Sequence, residues 1–433
     1  MMVERNAAVD VLVVGAGPAG LRSAVAAAER GQQRVLVLDM GLRAGGQIWR
    51  HRDPASLPGA ARRWLERARI AGVTVASGAR VVDVLSPQEL LVDFHGRLDR
   101  QRTGALVLAT GARERMLPFP GWTLPGVVGV GGLQALVKSG LHLNGSRVVI
   151  AGTGPLLFPV AAAVVAAGAD LRLVAEQVAF RTAARFALGL WTKPEAIGQA
   201  IAYRWAFRGV PLRTSSWVTE ANGDGRLRSV TVLDHGEPST VDCDWLAMSA
   251  GLCPNTELAQ LLGCELDGDA IRVDTQQATT VDGVWAAGEC TGVKGDRAAV
   301  CEGEIAGSAA AREPRWSRRR SLQRRRDAGR AFARRVARCF APRDELLQLA
   351  TPGTIICRCE DVRRGDLDPR WTQRQAKLWT RLGMGECQGA VCGPACAALF
   401  GWQPNEVRPP LGAPLCGAWS EALQHNRPRA LTA

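Results

Sequence analysis

An apolar run over residues 9–14 reads as a buried strand, and it opens directly into Gly15-Ala16-Gly17-Pro18-Ala19-Gly20. The following stretch predicts a helix over 18–30, and a second strand over 34–38 ends in Asp39. The same succession returns downstream as a strand over 147–151, the turn Gly152-Thr153-Gly154-Pro155, a helix over 156–167, and a strand over 171–174 that leads to Glu176. No residue between 148 and 169 is charged, which is enough length to cross a bilayer, but the glycine turn divides the run into strand and helix. Shorter apolar segments lead into Thr110-Gly111-Ala112 and into Gly288-Glu289. Two strand, turn and helix units predict an α/β protein with two Rossmann-like folds.

The chemistry of the first unit follows from its glycines. In a G-x-G-x-x-G turn the first glycine makes the bend, the second admits a pyrophosphate to the backbone, and the third packs helix on strand. These are Gly15, Gly17 and Gly20, with Pro18 and Ala19 opening the helix whose positive end faces phosphate. Asp39 is placed to accept from ribose hydroxyls. In the second unit Gly152 and Gly154 are present, but Leu157 stands at the third glycine position, and Glu176 disfavours a 2'-phosphate. That leaves open a catalytic NAD, a bound but unreactive adenine nucleotide, or an empty fold.

Together with Gly45-Gly46-Gln47, Thr110-Gly111 and Gly288-Glu289, the first unit resembles the two-dinucleotide-fold flavoproteins, thioredoxin reductase-like and glutathione reductase-like. The resemblance implies FAD at the first fold, with a backbone N–H and a carboxylate of the Gly288-Glu289 segment near the ribityl chain and phosphate. Glu289 stands where the family has aspartate and reaches one methylene further.

A chain of 433 residues predicts two or three domains, and 47% hydrophobic against 22% charged residues is a soluble composition. The first ten residues contain no apolar signal core. Twelve cysteines without such a signal point to a reducing, cytoplasmic setting, with membrane association only peripheral and through a complex. The net charge of +13 is local, because residues 312–338 hold twelve arginines against Glu313 and Asp327. Phe332, Val336 and Phe340 recur there at helical spacing, which predicts a solvated linker helix. Docking on an acidic partner and nucleic-acid binding are the alternatives, and no nucleic-acid motif accompanies the segment.

Before residue 243 there is no Cys-x-x-Cys or Cys-x4-Cys dithiol to serve the flavin. Cys243, Cys253, Cys264, Cys290 and Cys301 are expected to be buried small hydrophobes. Near the C-terminus, Cys357 and Cys359 and then Cys387 and Cys392 occupy two short glycine-flanked loops, a thiolate set suited to metal. Spacing alone leaves zinc and a 2Fe-2S cluster open. The stretch 380–392 resembles the bacterioferritin-associated-ferredoxin-like 2Fe-2S domain, which implies those four cysteines as cluster ligands, with Arg358, Lys377 and Arg381 offsetting the anionic cluster. Cys396 and Cys416 are spare thiols.

Gly45-Gly46-Gln47-Ile48-Trp49, Gly111-Ala112-Arg113-Glu114-Arg115 leading to Pro118-Phe119-Pro120-Gly121-Trp122, and the four-cysteine tail resemble, as an ordered set, the alpha subunits of opine oxidases, hydrogen cyanide synthase and D-hydroxyproline (proline) dehydrogenases. The resemblance implies a D-amino-acid-oxidase-like FAD beta subunit that oxidises the substrate, a small ferredoxin-like gamma subunit, and an external electron acceptor. It leaves room for FMN at a subunit interface. The implied layout is an FAD domain over 1–115 and 250–311, a second nucleotide domain over 116–249, an arginine-rich linker over 312–350, a small helical 2Fe-2S domain over 351–410, and a tail over 411–433. With one tyrosine, Tyr203, and five unpaired histidines, no acid–base residue is nominated. A self-sufficient NAD(P)H-dependent reductase and a non-catalytic scaffold or iron sensor are the competing readings.

Overall fold

The structure is a computed structural model that describes residues 8–31, 33–190, 194–312, 319–403 and 406–412. Cys416 lies outside the described residues, as do 1–7 and the remainder of 413–433. The helices that position the sites are, in chain order, α1 (Pro18–Gly31), α2 (Val130–Lys138), α3 (Leu157–Ala166), α4 (Asp296–Ala310), α5 (Arg319–Cys339), α6 (Gln373–Thr380) and α7 (Cys392–Phe400). The chain divides into two compact units, one from 1–113, 254–333 and 406–433, the other from 114–253 and 334–405.

The first unit is built on a sheet in which Thr74–Ser77, Val35–Asp39, Val9–Val14 and Arg97–Leu108 lie side by side in parallel, with Val284–Ala286 also parallel to Arg97–Leu108. Glu89–Phe94 and Ala79–Ser86 extend it antiparallel. Successive side chains point to opposite faces, so Val11, Val13, Val35 and Val37 pack towards α1 and α4, while Leu12, Leu36 and Leu38 pack on the other side with Leu258 and Leu262. Burial of both faces explains why these strands read as unbroken apolar runs.

Helix α4 approaches α1 closely enough that a Cβ on Gly303 would collide with the Ala19 carbonyl, and one on Gly307 with that of Ser23. The Ser23 hydroxyl donates to the Gly303 carbonyl at 2.9 Å, and buried Arg22 donates to Glu304 at 3.0 Å. The first turn of α1 is thus held rigidly beside the glycine loop that precedes it.

The second unit has a five-stranded parallel sheet in the order Leu212–Thr214, Asp170–Glu176, Arg147–Gly152, Trp245–Ser249, Val127–Gly129, and a separate antiparallel sheet over 216–242. Residues 350–402 form their own small core of Ile356, Val362, Ala376, Leu382 and Trp402 around a hairpin, α6 and α7. This segment is fastened to the rest of the second unit. The Trp122 indole donates to the Ile355 carbonyl at 2.6 Å, and the Arg358 guanidinium lies 5.2 Å from the Trp122 ring centre.

The arginine-rich segment differs from the expected solvated linker. In the first unit, Leu322 and Arg326 of α5 are buried, Arg326 donates to the Thr275 carbonyl at 2.9 Å, and Gly329 packs on Ala298. In the second unit, Arg335 donates to the carbonyls of Arg185, Phe186 and Gly189, which end the helix Phe180–Leu188. A guanidinium has five donors and suits the negative end of a helix, so arginine can serve buried carbonyls that a charge count does not reveal. Among the described residues no helix is long and apolar enough to cross a membrane.

Candidate cofactor sites

In the first unit the loop after Val9–Val14 is shaped by two glycines that the protein itself requires. Gly15 has φ +107°, and a Cβ there would meet the Ala109 carbonyl; a Cβ on Gly20 would meet the Gly15 carbonyl. Gly17 is different, because among the described residues the atom nearest to its Cβ position is Cα of Gly46, at 4.0 Å. Only the backbone of another glycine, and no side chain, comes within 4 Å of that position, which leaves the shallow cradle a pyrophosphate needs. Two other expected segments converge here. The Gly45 amide donates to the Ala16 carbonyl at 2.8 Å, bringing Gly46 over the loop, and a Cβ on Gly288 would lie 2.8 Å from Cβ of Ala19.

Asp39 accepts from the Ala16 amide at 2.5 Å and from the Gly41 amide at 2.7 Å. Burial raises its pKa, and those two bonds and Arg50 oppose the rise. A carboxylate has about four acceptor positions, so two remain for ribose hydroxyls. Burial also raises the pKa of Glu289, with the nearby Asp296 adding to it and the Gly295 amide and Lys294 opposing. The Thr110 hydroxyl donates to the Asn255 carbonyl at 2.7 Å and so ties the loop rather than facing outward. Gly111 has φ +69° with open space around its Cβ position, and Gln47 is exposed. The residues of this loop cluster fit a dinucleotide such as FAD.

Beneath the cluster lies a polar group that sequence reasoning missed. Glu302, fully buried, accepts from the Gly288 amide at 3.0 Å, the Thr291 hydroxyl at 2.9 Å, the Lys294 amine at 2.7 Å and the Arg330 guanidinium at 3.3 Å. Burial lowers the pKa of Lys294 and its pairing with Glu302 opposes this. The available signal was an acid within the small, apolar α4 pattern, since a buried charge requires a partner. Glu114 was also missed. It accepts from the Gly131 and Gly132 amides at 2.7 and 2.9 Å, an internal anion at the N-terminus of α2.

In the second unit, a Cβ on Gly152 would collide with the Ser249 carbonyl. Buried Glu176 accepts from the Gly154 amide at 2.8 Å and the Val178 amide at 3.1 Å, and burial pushes its pKa up to about 7. Leu157, at the third glycine position, is fully buried. The Thr153 hydroxyl donates to the Phe340 carbonyl at 3.0 Å, and the Phe340 side chain lies 3.8 Å from the Cβ position of Gly154.

The four C-terminal cysteines come together within the second unit. Cys357 and Cys392 are buried and Cys359 is exposed, with its sulfur 3.6 Å from that of Cys387. The Cys392 thiol is pushed well up by burial and by the neighbouring Cys357, Cys396 and Cys387 thiols. A Cβ on Gly385 would collide with that of Cys359, and one on Gly383 would lie 3.8 Å from the Cys392 sulfur, so glycine lets this loop close around the sulfurs. Cys396 is buried beside them and pushed up to about 12, by burial first. Arg381, expected to offset cluster charge, donates to Glu360 at 2.7 Å. Among the described residues no three His, Cys, Asp or Glu side chains stand at the spacing of a single metal ion. Four thiols in glycine-lined loops are the donor chemistry that thiophilic iron or zinc uses. Cys243, Cys253, Cys264, Cys290 and Cys301 are buried as expected, and Cys339, at the end of α5, is half-buried.

Comparison with known proteins agrees with this architecture. Residues 9–311 match the family described as pyridine nucleotide-disulphide oxidoreductase. Hydrogen cyanide synthase subunit HcnB of Pseudomonas aeruginosa is 36% identical over 419 residues, covering 88% of this chain and 90% of that protein. An opine oxidase subunit of Rhizobium meliloti is 32% identical, covering 90% and 92%. Among solved structures, L-proline dehydrogenase from P. horikoshii superposes with TM-score 0.68 at 18% identity over 96% of this chain and 80% of its own. Thioredoxin reductase of T. acidophilum gives 0.56 at 24% identity over 71% and 98%. These two likenesses show the fold: two Rossmann-like dinucleotide-binding domains of the thioredoxin-reductase type. The chain is therefore an oxidoreductase of the pyridine nucleotide-disulphide oxidoreductase family, in the group that includes HcnB and the opine oxidase subunits.

Proposed function

We propose that this chain is the FAD- and 2Fe-2S-containing electron-transfer subunit of a heteromeric dehydrogenase acting on an amino or imino acid of the D-hydroxyproline, proline or opine type. The substrate's C–N bond would be oxidised on a D-amino-acid-oxidase-like partner, and electrons would leave to an external acceptor. The observation that carries this reading is the gathering of Cys357, Cys359, Cys387 and Cys392 in a chain that has no redox dithiol before residue 243.

The loop Gly15-Ala16-Gly17 and the N-terminus of α1 would hold the FAD pyrophosphate, Asp39 the adenosine ribose, and the Gly288-Glu289 segment the ribityl end. The four cysteines would hold the iron. When bound, a flavin accepts electron pairs and can release them singly, and a 2Fe-2S cluster carries one electron at a time. The likeness to the hydrogen cyanide synthase subunit HcnB supports a second reading, that of a subunit of a glycine-oxidising complex of that type.

An anaerobic visible spectrum with iron and acid-labile sulfide assays tests the proposal on the isolated chain. The expected result is flavin bands, about two irons and two sulfides per chain, and no bleaching by NADH. Zinc without sulfide would remove the electron-transfer role of the cysteines. Flavin bleached by NADH would make the chain a reductase.

A further inference from the structure

The two glycine loops of this chain are alike in sequence and differ in what faces them. Over the first, the space above Gly17 is bounded only by Gly46 among the described residues. Over Gly154, the corresponding glycine of the second loop, lies the side chain of Phe340, with Cβ and Cγ 3.8 and 3.9 Å from the glycine's Cβ position. The second glycine of such a loop is where a pyrophosphate approaches the backbone. In this fold a phenyl group already lies against it.

The polar groups around the loop are taken as well. The Gly154 amide donates to Glu176, and the Thr153 hydroxyl donates to the Phe340 carbonyl. Gln177 is engaged at both ends of its amide, donating to the Ala341 carbonyl at 2.9 Å and accepting from the Arg343 amide at 3.0 Å. Glu176 bonds one backbone amide with each oxygen, as Asp39 does in the first loop, so the carboxylates are alike and the difference between the loops lies in Phe340 and the groups bonded to its segment.

The segment that does this is anchored on both sides. Phe340 meets Phe186 edge to face with ring centres 5.0 Å apart, and Arg335, five residues earlier, holds the carbonyls of Arg185, Phe186 and Gly189. Arg343 lies 4.7 Å from the Trp217 ring centre and donates to Glu345 at 2.6 Å. These contacts together hold residues 340–343 across the mouth of the loop.

We propose that residues 340–343 are a built-in occupant of the second dinucleotide fold, which closes it to NAD(H) and other adenine nucleotides and makes its glycine loop a seat for the end of the arginine-rich helix.

The test uses the full-length, flavin-loaded chain, titrated separately with NADH, NADPH and ATP by calorimetry, with hydrogen exchange followed over 151–157 and 338–345. For the wild-type chain, no saturable binding is expected up to about 1 mM, with both segments protected. Phe340→Ala and the stronger Phe340→Gly/Arg343→Ala variant should lose protection in both segments and bind at least one nucleotide at least about tenfold more tightly, a change of about 1.4 kcal/mol. Saturable binding to the wild-type chain with 338–345 still protected would overturn the proposal. So would a folded variant whose segment is released by hydrogen exchange and which still binds none of the three. A nucleotide that binds without bleaching the flavin would sink this inference and leave the electron-transfer proposal standing.

Discussion

The residue with most at stake is Glu302, whose buried carboxylate joins a backbone amide of the Gly288 turn to the half-buried cations Lys294 and Arg330. Removing one partner of a buried ion pair costs about 3–5 kcal/mol, because the other charge is left without compensation. Glu302→Leu is therefore expected to lower unfolding free energy by about that amount and to reduce flavin content, checked by urea denaturation and by the absorbance ratio of the purified protein. Glu176 makes a pH-dependent contribution. Its pKa in the folded chain is about 7, above the ordinary 4.5, so the folded state holds a proton that the unfolded state has released between those values. Stability then falls as pH rises from about 4.5 to 7, by roughly 2–3 kcal/mol, and levels off above. Denaturation midpoints taken across that window should show the fall in the wild-type chain and lose it in Glu176→Gln, which keeps an acceptor for the Gly154 amide.

At the scale of elements, the contact of α1 with α4 sets the position of the helix end that faces the first glycine loop. Gly303 and Gly307 allow it, because a side chain at either would occupy the space of an α1 carbonyl. Overpacking of this kind costs about 1–3 kcal/mol and moves the backbone. Gly303→Ala is expected to destabilise by that order and to weaken flavin retention, whereas Gly59→Ala, at a glycine with open space around its Cβ position and no left-handed φ, should leave flavin content unchanged. Gel filtration followed by flavin quantification separates the two outcomes. Helix α5 shows how a charged pattern can mislead. Its arginines read as a solvated face, yet Arg326, Arg330 and Arg335 are donors to carbonyls and to Glu302.

For the molecule as a whole, the flavin fold and the cysteine set belong to different compact units, so they should be separable by mutation. Cys387→Ser is expected to lose iron and sulfide, keep its flavin spectrum, and abolish electron transfer when assembled with its partner. Unchanged turnover would favour a scaffold role. Much of this organisation was legible along the chain. The strand, glycine turn and helix order and the four paired cysteines depend on residues near one another in sequence, and steric limits on φ and on close packing leave glycine little alternative at Gly15 and Gly20. Other features required the folded chain. Glu302 and Arg330, or Thr153 and Phe340, are far apart in sequence and meet only when the sheets are assembled, and which groups are buried decides which charges must pair. Local spacing therefore made both glycine loops look like nucleotide sites. Long-range packing set only a glycine backbone against the second glycine of one loop, and set the chain's own phenylalanine side chain against that of the other.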